Sequence, residues 1–164
     1  MRSYLDRTLS VYYVYFSKKE YLSSLIVKTD KEVKMKILVG YDELKIDEKA
    51  LALAQKQAKA FDADVHIMTS LEQGPTLQKD DIEEVEDRLE KLKRPFDKDN
   101  INCETTVSVN YLSAGEDLVQ FAKDNDVDMM FIGIKKTSKV GKLMFGSTAQ
   151  YVLLNAPCPV VAVR

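Results

Sequence analysis

The sequence predicts an α/β fold over residues 35–164: a single doubly wound domain of five mostly parallel strands with helices on both faces. Three observations predict it. Short apolar runs alternate with longer segments whose apolar residues recur every three to four positions, the pattern of repeated βα units. The runs are continuous rather than alternating with polar residues, which suits strands covered on both faces. The chain, 164 residues long with 45% apolar and 30% charged residues, is sized for one packed domain.

Residues 35–41 (MKILVGY) read as the first strand, and Asp42-Glu43 begin a polar turn. Residues 47–61 are helical, with Ala50, Leu51, Ala54, Ala58 and Phe61 on one stripe. Residues 65–71 (VHIMTSL) form a second strand, and the Gly74-Pro75 stretch that follows is a loop. Residues 80–96 form a second helix with Ile82, Val85, Leu89 and Leu92 on its stripe. Its acidic residues come first and its basic residues last, as the helix dipole favours. Residues 104–109 are a third strand. Residues 115–125 are a third helix, burying Leu118, Val119, Phe121 and Ala122. Residues 128–132 (DMMFI) are a fourth strand. Residues 133–145 are a loop, 147–154 a fourth helix stopped by Pro157 and Pro159, and 160–163 the last strand. The order βαβαβαβαβ implies right-handed crossovers and a parallel sheet. Ligands of such sheets bind beyond the carboxyl ends of the strands, where the winding direction switches. That places interest after the first, second and fourth strands.

Residues 1–34 differ in composition. They carry seven Lys/Arg against four Asp/Glu, a charge of +3, and leave 17 against 22, or −5, for residues 35–164. They hold five of the eight tyrosines and no Gly, Pro or Ala. Residues 9–16 (LSVYYVYF) are rich in β-formers, too short to span a bilayer and without a signal-peptide cleavage site. An added strand and a surface helix are both open readings. Lys31-Glu32-Val33 can be encoded by a ribosome-binding sequence just before the Met35 codon, so a native start at Met35, with 1–34 a translated leader, is also expected. The chain therefore divides into an N-terminal extension, 1–34, and a domain, 35–164.

Composition excludes several classes. The overall charge of −2 argues against a nucleic-acid partner, and no segment suits a membrane. Two cysteines (Cys103 and Cys158) without CxxC spacing, and a lone His66, argue against a disulfide framework or zinc site and point to a reducing, cytoplasmic setting. His66 lies within a strand and reads as packing or surface, Cys158 as a small apolar residue between two prolines, and Cys103 as uninformative.

The richest chemistry lies in GIKKTSKVGKLMFGST, residues 133–148. Gly133 ends a strand and Gly146-Ser147-Thr148 open a helix, whose free N–H groups and positive dipole end suit a phosphate. Ser147 and Thr148 add hydroxyls, and Lys135, Lys136, Lys139 and Lys142 add charge. A bland reading, with Ser147 as a helix cap and the lysines solvated, stays open. The outline resembles GxxxxGK[ST], but Ser147 stands where that motif needs Lys, so a P-loop NTPase is excluded. Asp42, after the first strand, suits a base or ribose ligand or a helix cap. A receiver domain would need an acceptor Asp after the third strand, where the chain has Asn110-Tyr111-Leu112.

MKILVGYD, an Ala-rich helix and VHIMTSL resemble the opening of universal stress protein domains. Gly133-x-x-Lys136, then Gly146-Ser147, and the ending NAPCPVVAVR are very similar to that family's C-terminal signature. The resemblance covers residues 35–164. It implies sheet order 3-2-1-4-5 and a homodimer built through the last strand, with a further protein partner unknown. It also implies ATP or a related adenine nucleotide, with Mg, as cofactor. The nucleotide-binding branch carries G-x2-G-x9-G-[ST]. Gly133, Gly146 and Ser147 match it, and Lys136 stands at the second Gly. Asp42 and Ser70 fall where relatives contact adenosine. A Gly at the Lys136 position would let the backbone approach a phosphate, whereas Lys adds steric cost and charge together. Two functions follow: a nucleotide-binding stress-response regulator acting through partners, or a nucleotide-independent dimeric interaction module. No base, nucleophile or metal cluster converges on the phosphates, so any ATP hydrolysis is expected to be slow. An adenine-nucleotide hydrolase would carry an SGGxDS-like loop where residues 40–44 read GYDEL.

Overall fold

The computed structural model describes residues 11–14, 34–42, 48–134 and 145–164, with the backbone alone at 11–14. Six strands form one sheet: β1 (Val11–Val14), β2 (Lys36–Gly40), β3 (Asp64–Glu72), β4 (Cys103–Asn110), β5 (Met129–Gly133) and β6 (Val160–Val163). The helices are α1 (Glu48–Phe61), α2 (Lys79–Lys98), α3 (Ala114–Asp124) and α4 (Ser147–Asn155). The sheet order is β1-β6-β5-β2-β3-β4. From β2 onward all pairings are parallel, which is the expected 3-2-1-4-5 order. Of the two open readings of residues 9–16, a strand and a surface helix, residues 11–14 take the strand, β1, antiparallel to β6.

Strand alternation sends Ile37, Val39, Val65, Ile67 and Phe131 to one face, under Ala50, Ala54 and Ala58 of α1 and Val85, Leu89 and Phe96 of α2. Leu38, Met68, Met130, Ile132, Val160 and Ala162 face the other way, under Leu118, Val119 and Ala122 of α3 and Ala149 and Val152 of α4. Both faces of the central strands are thus covered, which explains why their sequences read as unbroken apolar runs. Among the described residues no helix is long and apolar enough to cross a membrane.

Three helices end in the same way. Asp62, Asn100 and Asp126 take positive φ (49°, 55° and 52°). The next residue's N–H then donates back five positions: Ala63 to the Ala58 carbonyl, Ile101 to Phe96 and Val127 to Ala122. This is the Schellman pattern of bonding, with Asp or Asn in the left-handed site they tolerate better than most residues. Ala63, Ile101 and Val127 are buried as the chain enters the next strand.

Three side chains depart from expectation. Phe61 is 57% exposed, because α1 terminates there and Ala63 takes the buried place after the turn. Phe121 is half-buried, lying at the flank of α3 with its ring 4.6 Å from that of His66. Cys103 is buried at the start of β4, within the core under α2.

Candidate functional site

The chain winds outward from β2 through β3 to β4, then returns to place β5 on the other side of β2. The switch point is therefore the crevice between the carboxyl ends of β2 and β5, where a ligand is favoured. Asp42 follows β2 and Gly133 ends β5, so the fold brings these two expected residues to neighbouring strand ends. Both are exposed.

The end of β2 is held firmly. The Tyr41 N–H donates to the Met68 carbonyl at 2.9 Å. The buried Thr69 hydroxyl donates to the Tyr41 carbonyl at 3.1 Å. These bonds fix the backbone on which Asp42 is carried. Thr69, inside β3 near its carboxyl end, is thus a positioning residue. Ser70, the expected neighbour, faces the α3 side in alternation with His66 and Met68. Its Oγ is buried without a hydrogen-bond partner, as is Asp117 Oδ2 in the first turn of α3. The site end of the sheet therefore holds two polar atoms on the α3 side with unused hydrogen-bonding capacity.

Gly146 is the N-cap of α4, and the first helical bond runs from the Gln150 N–H to its carbonyl at 2.9 Å. The N–H groups of the first turn before Gln150 have no acceptor inside the helix. The first turn of α4 has no acidic residue and no side-chain cap. The other helices differ. Glu48 opens α1, and Asp80 and Asp81 open α2. Ser113 and Glu116 close a reciprocal capping box on α3. Ser147 and Thr148 are exposed beside Gly146. A Cβ built on Gly146 meets nothing within 4 Å among the described residues. Among the described residues, packing thus does not require the absence of a side chain there. The α4 terminus is a cradle that fits a phosphate. Lys136 and the other loop lysines lie outside the described residues.

Gly115 does have a packing role. A Cβ there would stand 2.9 Å from Tyr151 Cβ and 3.2 Å from the Thr148 carbonyl. The α3 backbone thereby comes close against the first turn of α4 and sets where that terminus lies. Sequence reading missed Gly115, because its neighbour is a helix far along the chain.

His66 serves packing. Nε2 lies 2.9 Å from the Thr106 hydroxyl and Nδ1 3.6 Å from Glu104. Burial holds its pKa below the usual 6.5, and the Glu104 charge opposes that only in part. Burial also pushes the thiols of Cys103 and Cys158 up to about 12.

Residues 35–164 match the Universal stress protein family. The chain belongs to that family. It resembles a universal stress protein from Archaeoglobus fulgidus at 32% identity and a TM-score of 0.71, with 80% of this chain covering 100% of that one. A second Archaeoglobus fulgidus structure, a universal stress protein in complex with dAMP, is 28% identical with a TM-score of 0.68, covering 80% of this chain and 99% of that one. A universal stress protein of Methanocaldococcus jannaschii is 23% identical over 163 residues, spanning 93% of this chain and 95% of the relative. That last span exceeds residues 35–164 and so reaches into the segment before Met35.

Proposed function

We propose that this universal stress protein binds an adenine nucleotide at the carboxyl end of its sheet and regulates a stress response through partner proteins. The phosphates lie over the first turn of α4, held by its backbone N–H groups and by the hydroxyls of Ser147 and Thr148. The adenosine lies across the ends of β2 and β3, near Asp42 and Ser70, with Gly133 beside it. Lys136 supplies charge where relatives of the binding branch have Gly. The observation that carries this reading is the α4 terminus, which has no side-chain cap and no acid in its first turn and, among the described residues, nothing within 4 Å of a Cβ at Gly146. The dAMP complex of the Archaeoglobus fulgidus relative supports an adenine nucleotide as the ligand class.

Calorimetry of the full chain with ATP, ADP and dAMP tests it. Binding is expected for the wild type, and Gly146→Val is expected to weaken it at least about tenfold, or about 1.4 kcal/mol. The same variant should keep its stability within about 1 kcal/mol, the range separating N-cap residues that do not clash. Absence of heat at millimolar nucleotide would instead favour the nucleotide-independent interaction module. Unchanged binding by Gly146→Val would place the phosphates elsewhere.

A further inference from the structure

At the end of the sheet away from β1 and β6 lies β4, and among the described residues no strand lies beyond it. Its eight residues, CETTVSVN, pair with β3 in one unbroken parallel register. The bonds at the two ends of this pairing fix which way the β4 backbone faces. The Asn102 carbonyl accepts the Val65 N–H at 2.9 Å, and the Asn110 carbonyl accepts the Gln73 N–H at 2.6 Å. Even-numbered residues therefore bond inward to β3, and alternation turns the N–H and C=O groups of Thr105, Val107 and Val109 outward. Sheet edges are normally blunted by lysine, proline, a bulge or shortness. None of these is present in β4, and its one charged residue is Glu104.

The surroundings of this edge are acidic. Gln55 on α1 donates to the Pro95 carbonyl and to Asp99, so that side of α2 and its cap faces α1. The opposite flank of α2 overhangs β4, where Glu90 Oε1 accepts the Thr105 hydroxyl at 2.9 Å. Glu86, Lys93 and Asp97 share that flank by helical spacing. Lys93 stands 4.0 Å from Glu90 and offsets it in part, while Glu86 and Asp97 are exposed. On the other face of the sheet Glu104 is exposed, in line with half-buried Thr106, Ser108 and Asn110. His66 lies 3.6 Å from Glu104 but does not neutralise it, because burial keeps the ring uncharged near neutral pH.

We propose that the β4 edge docks an extended segment of a partner protein, added to the sheet as a further strand, whose alternate residues are basic. The outward groups of Thr105, Val107 and Val109 supply the main-chain bonds of such an addition. Lysine or arginine at alternate positions lays its stem along half-buried Val107 and Val109 and brings its charge to the acidic flank of α2. Small polar residues between them, threonine above all, meet the polar face formed by Thr106 and Ser108. A second copy fits this edge poorly. Two β4 edges would set Glu86, Asp97 and Glu104 near their own equivalents, and like charges oppose the pairing. None of these groups belongs to the nucleotide site, so the edge takes its strand whether or not nucleotide is bound.

The test uses the full chain without nucleotide and a fluorescein-labelled peptide that alternates lysine and threonine, matched to the eight residues of β4. Binding is read by fluorescence anisotropy. A peptide of the same composition with its lysines in one block controls for charge alone. The alternating peptide is expected to bind at least about tenfold more tightly, because only alternation puts the charges on one face of a strand. A Glu86→Lys/Asp97→Lys variant, altered only at exposed positions, is expected to bind it about tenfold more weakly than the wild type. Hydrogen exchange then locates the contact. The amides of Thr105, Val107 and Val109 exchange at the rate of an open edge in the protein alone and slow down with the peptide, whereas those of Thr106 and Ser108 are slow throughout. Absence of binding, equal binding of the two peptides, or no protection at the three outward amides overturns the proposal. Slow exchange of those amides in the protein alone, which a second copy or a segment of the same chain at this edge would produce, overturns it as well.

Discussion

Helices α3 and α4 pack against each other at their first turns, yet the two termini are built oppositely. The α3 terminus is closed by its own sequence: the Ser113 N–H donates to Glu116 Oε2 at 3.0 Å, and the Ser113 hydroxyl meets the same carboxylate at 2.7 Å. The α4 terminus has a glycine at its N-cap and no acid in its first turn. In α3 the acceptor is part of the chain, and its contribution belongs to folding. In α4 neither the N-cap side chain nor the first turn supplies an acceptor, and one supplied by a ligand would contribute to binding. The contrast separates a helix end that stabilises the domain from one that a ligand would stabilise.

Joining the two ends more loosely should have the largest effect. In Gly115→Val the new side chain meets Tyr151 Cβ and the Thr148 carbonyl, neither of which is the free end of a flexible chain. The expected cost is about 2 kcal/mol, typical of overpacking. For a chain of this size that lowers the melting temperature by about 4–8 °C in a thermal scan. Nucleotide affinity should fall with it, because α4 is displaced. A normal affinity would show that the α3 contact does not set the α4 terminus.

Removing the α3 cap sharpens the comparison. Ser113→Ala should cost about 1 kcal/mol in urea denaturation, the usual value of an N-cap. Its nucleotide affinity should match that of the wild type, the reverse of the Gly146→Val result. Loss of binding in Ser113→Ala would merge the two termini into one site.

The smallest effect is one of pH. Hydrogen bonds from the Ser113 hydroxyl and backbone hold the Glu116 carboxyl below its usual 4.5. The folded state thus favours the carboxylate more than the unfolded state does. The stability this gives is complete above about pH 4.5 and is lost as the pH falls through the lowered folded value. Glu116→Gln should flatten that part of the stability profile, measured by denaturation at a series of acidic pH values. An unchanged acid limb would mean that the cap does not act through the charge.

Much of this architecture was legible in the sequence, for a physical reason. Strands covered on both faces must be apolar at every position, so MKILVGY and DMMFI announced themselves, and the spacing of Ala50, Ala54 and Ala58 gave a helix that packs close to the sheet. Local signals also placed Gly133 and Gly146 at element ends. Features that depend on a distant neighbour were not legible. The role of Gly115 exists only once Tyr151 lies against it. The bond from Thr69 to the Tyr41 carbonyl requires β2 and β3 to be paired. Cys103 looked polar because its neighbours along the chain are polar, while its burial comes from α2 above it. The repeated FDADV, DNINC and NDVDM segments did carry a signal, a left-handed Asp or Asn before a buried residue, and it is visible only when the three are set side by side.

The two thiols, Cys103 buried and Cys158 half-buried, have a practical consequence for labelling. Burial pushes both up to about 12, which disfavours the thiolate, the reactive form, near neutral pH. A cysteine introduced on the surface beside Gly146 would react faster than Cys103 or Cys158. A single fluorophore there could then follow the α4 terminus in the otherwise native chain.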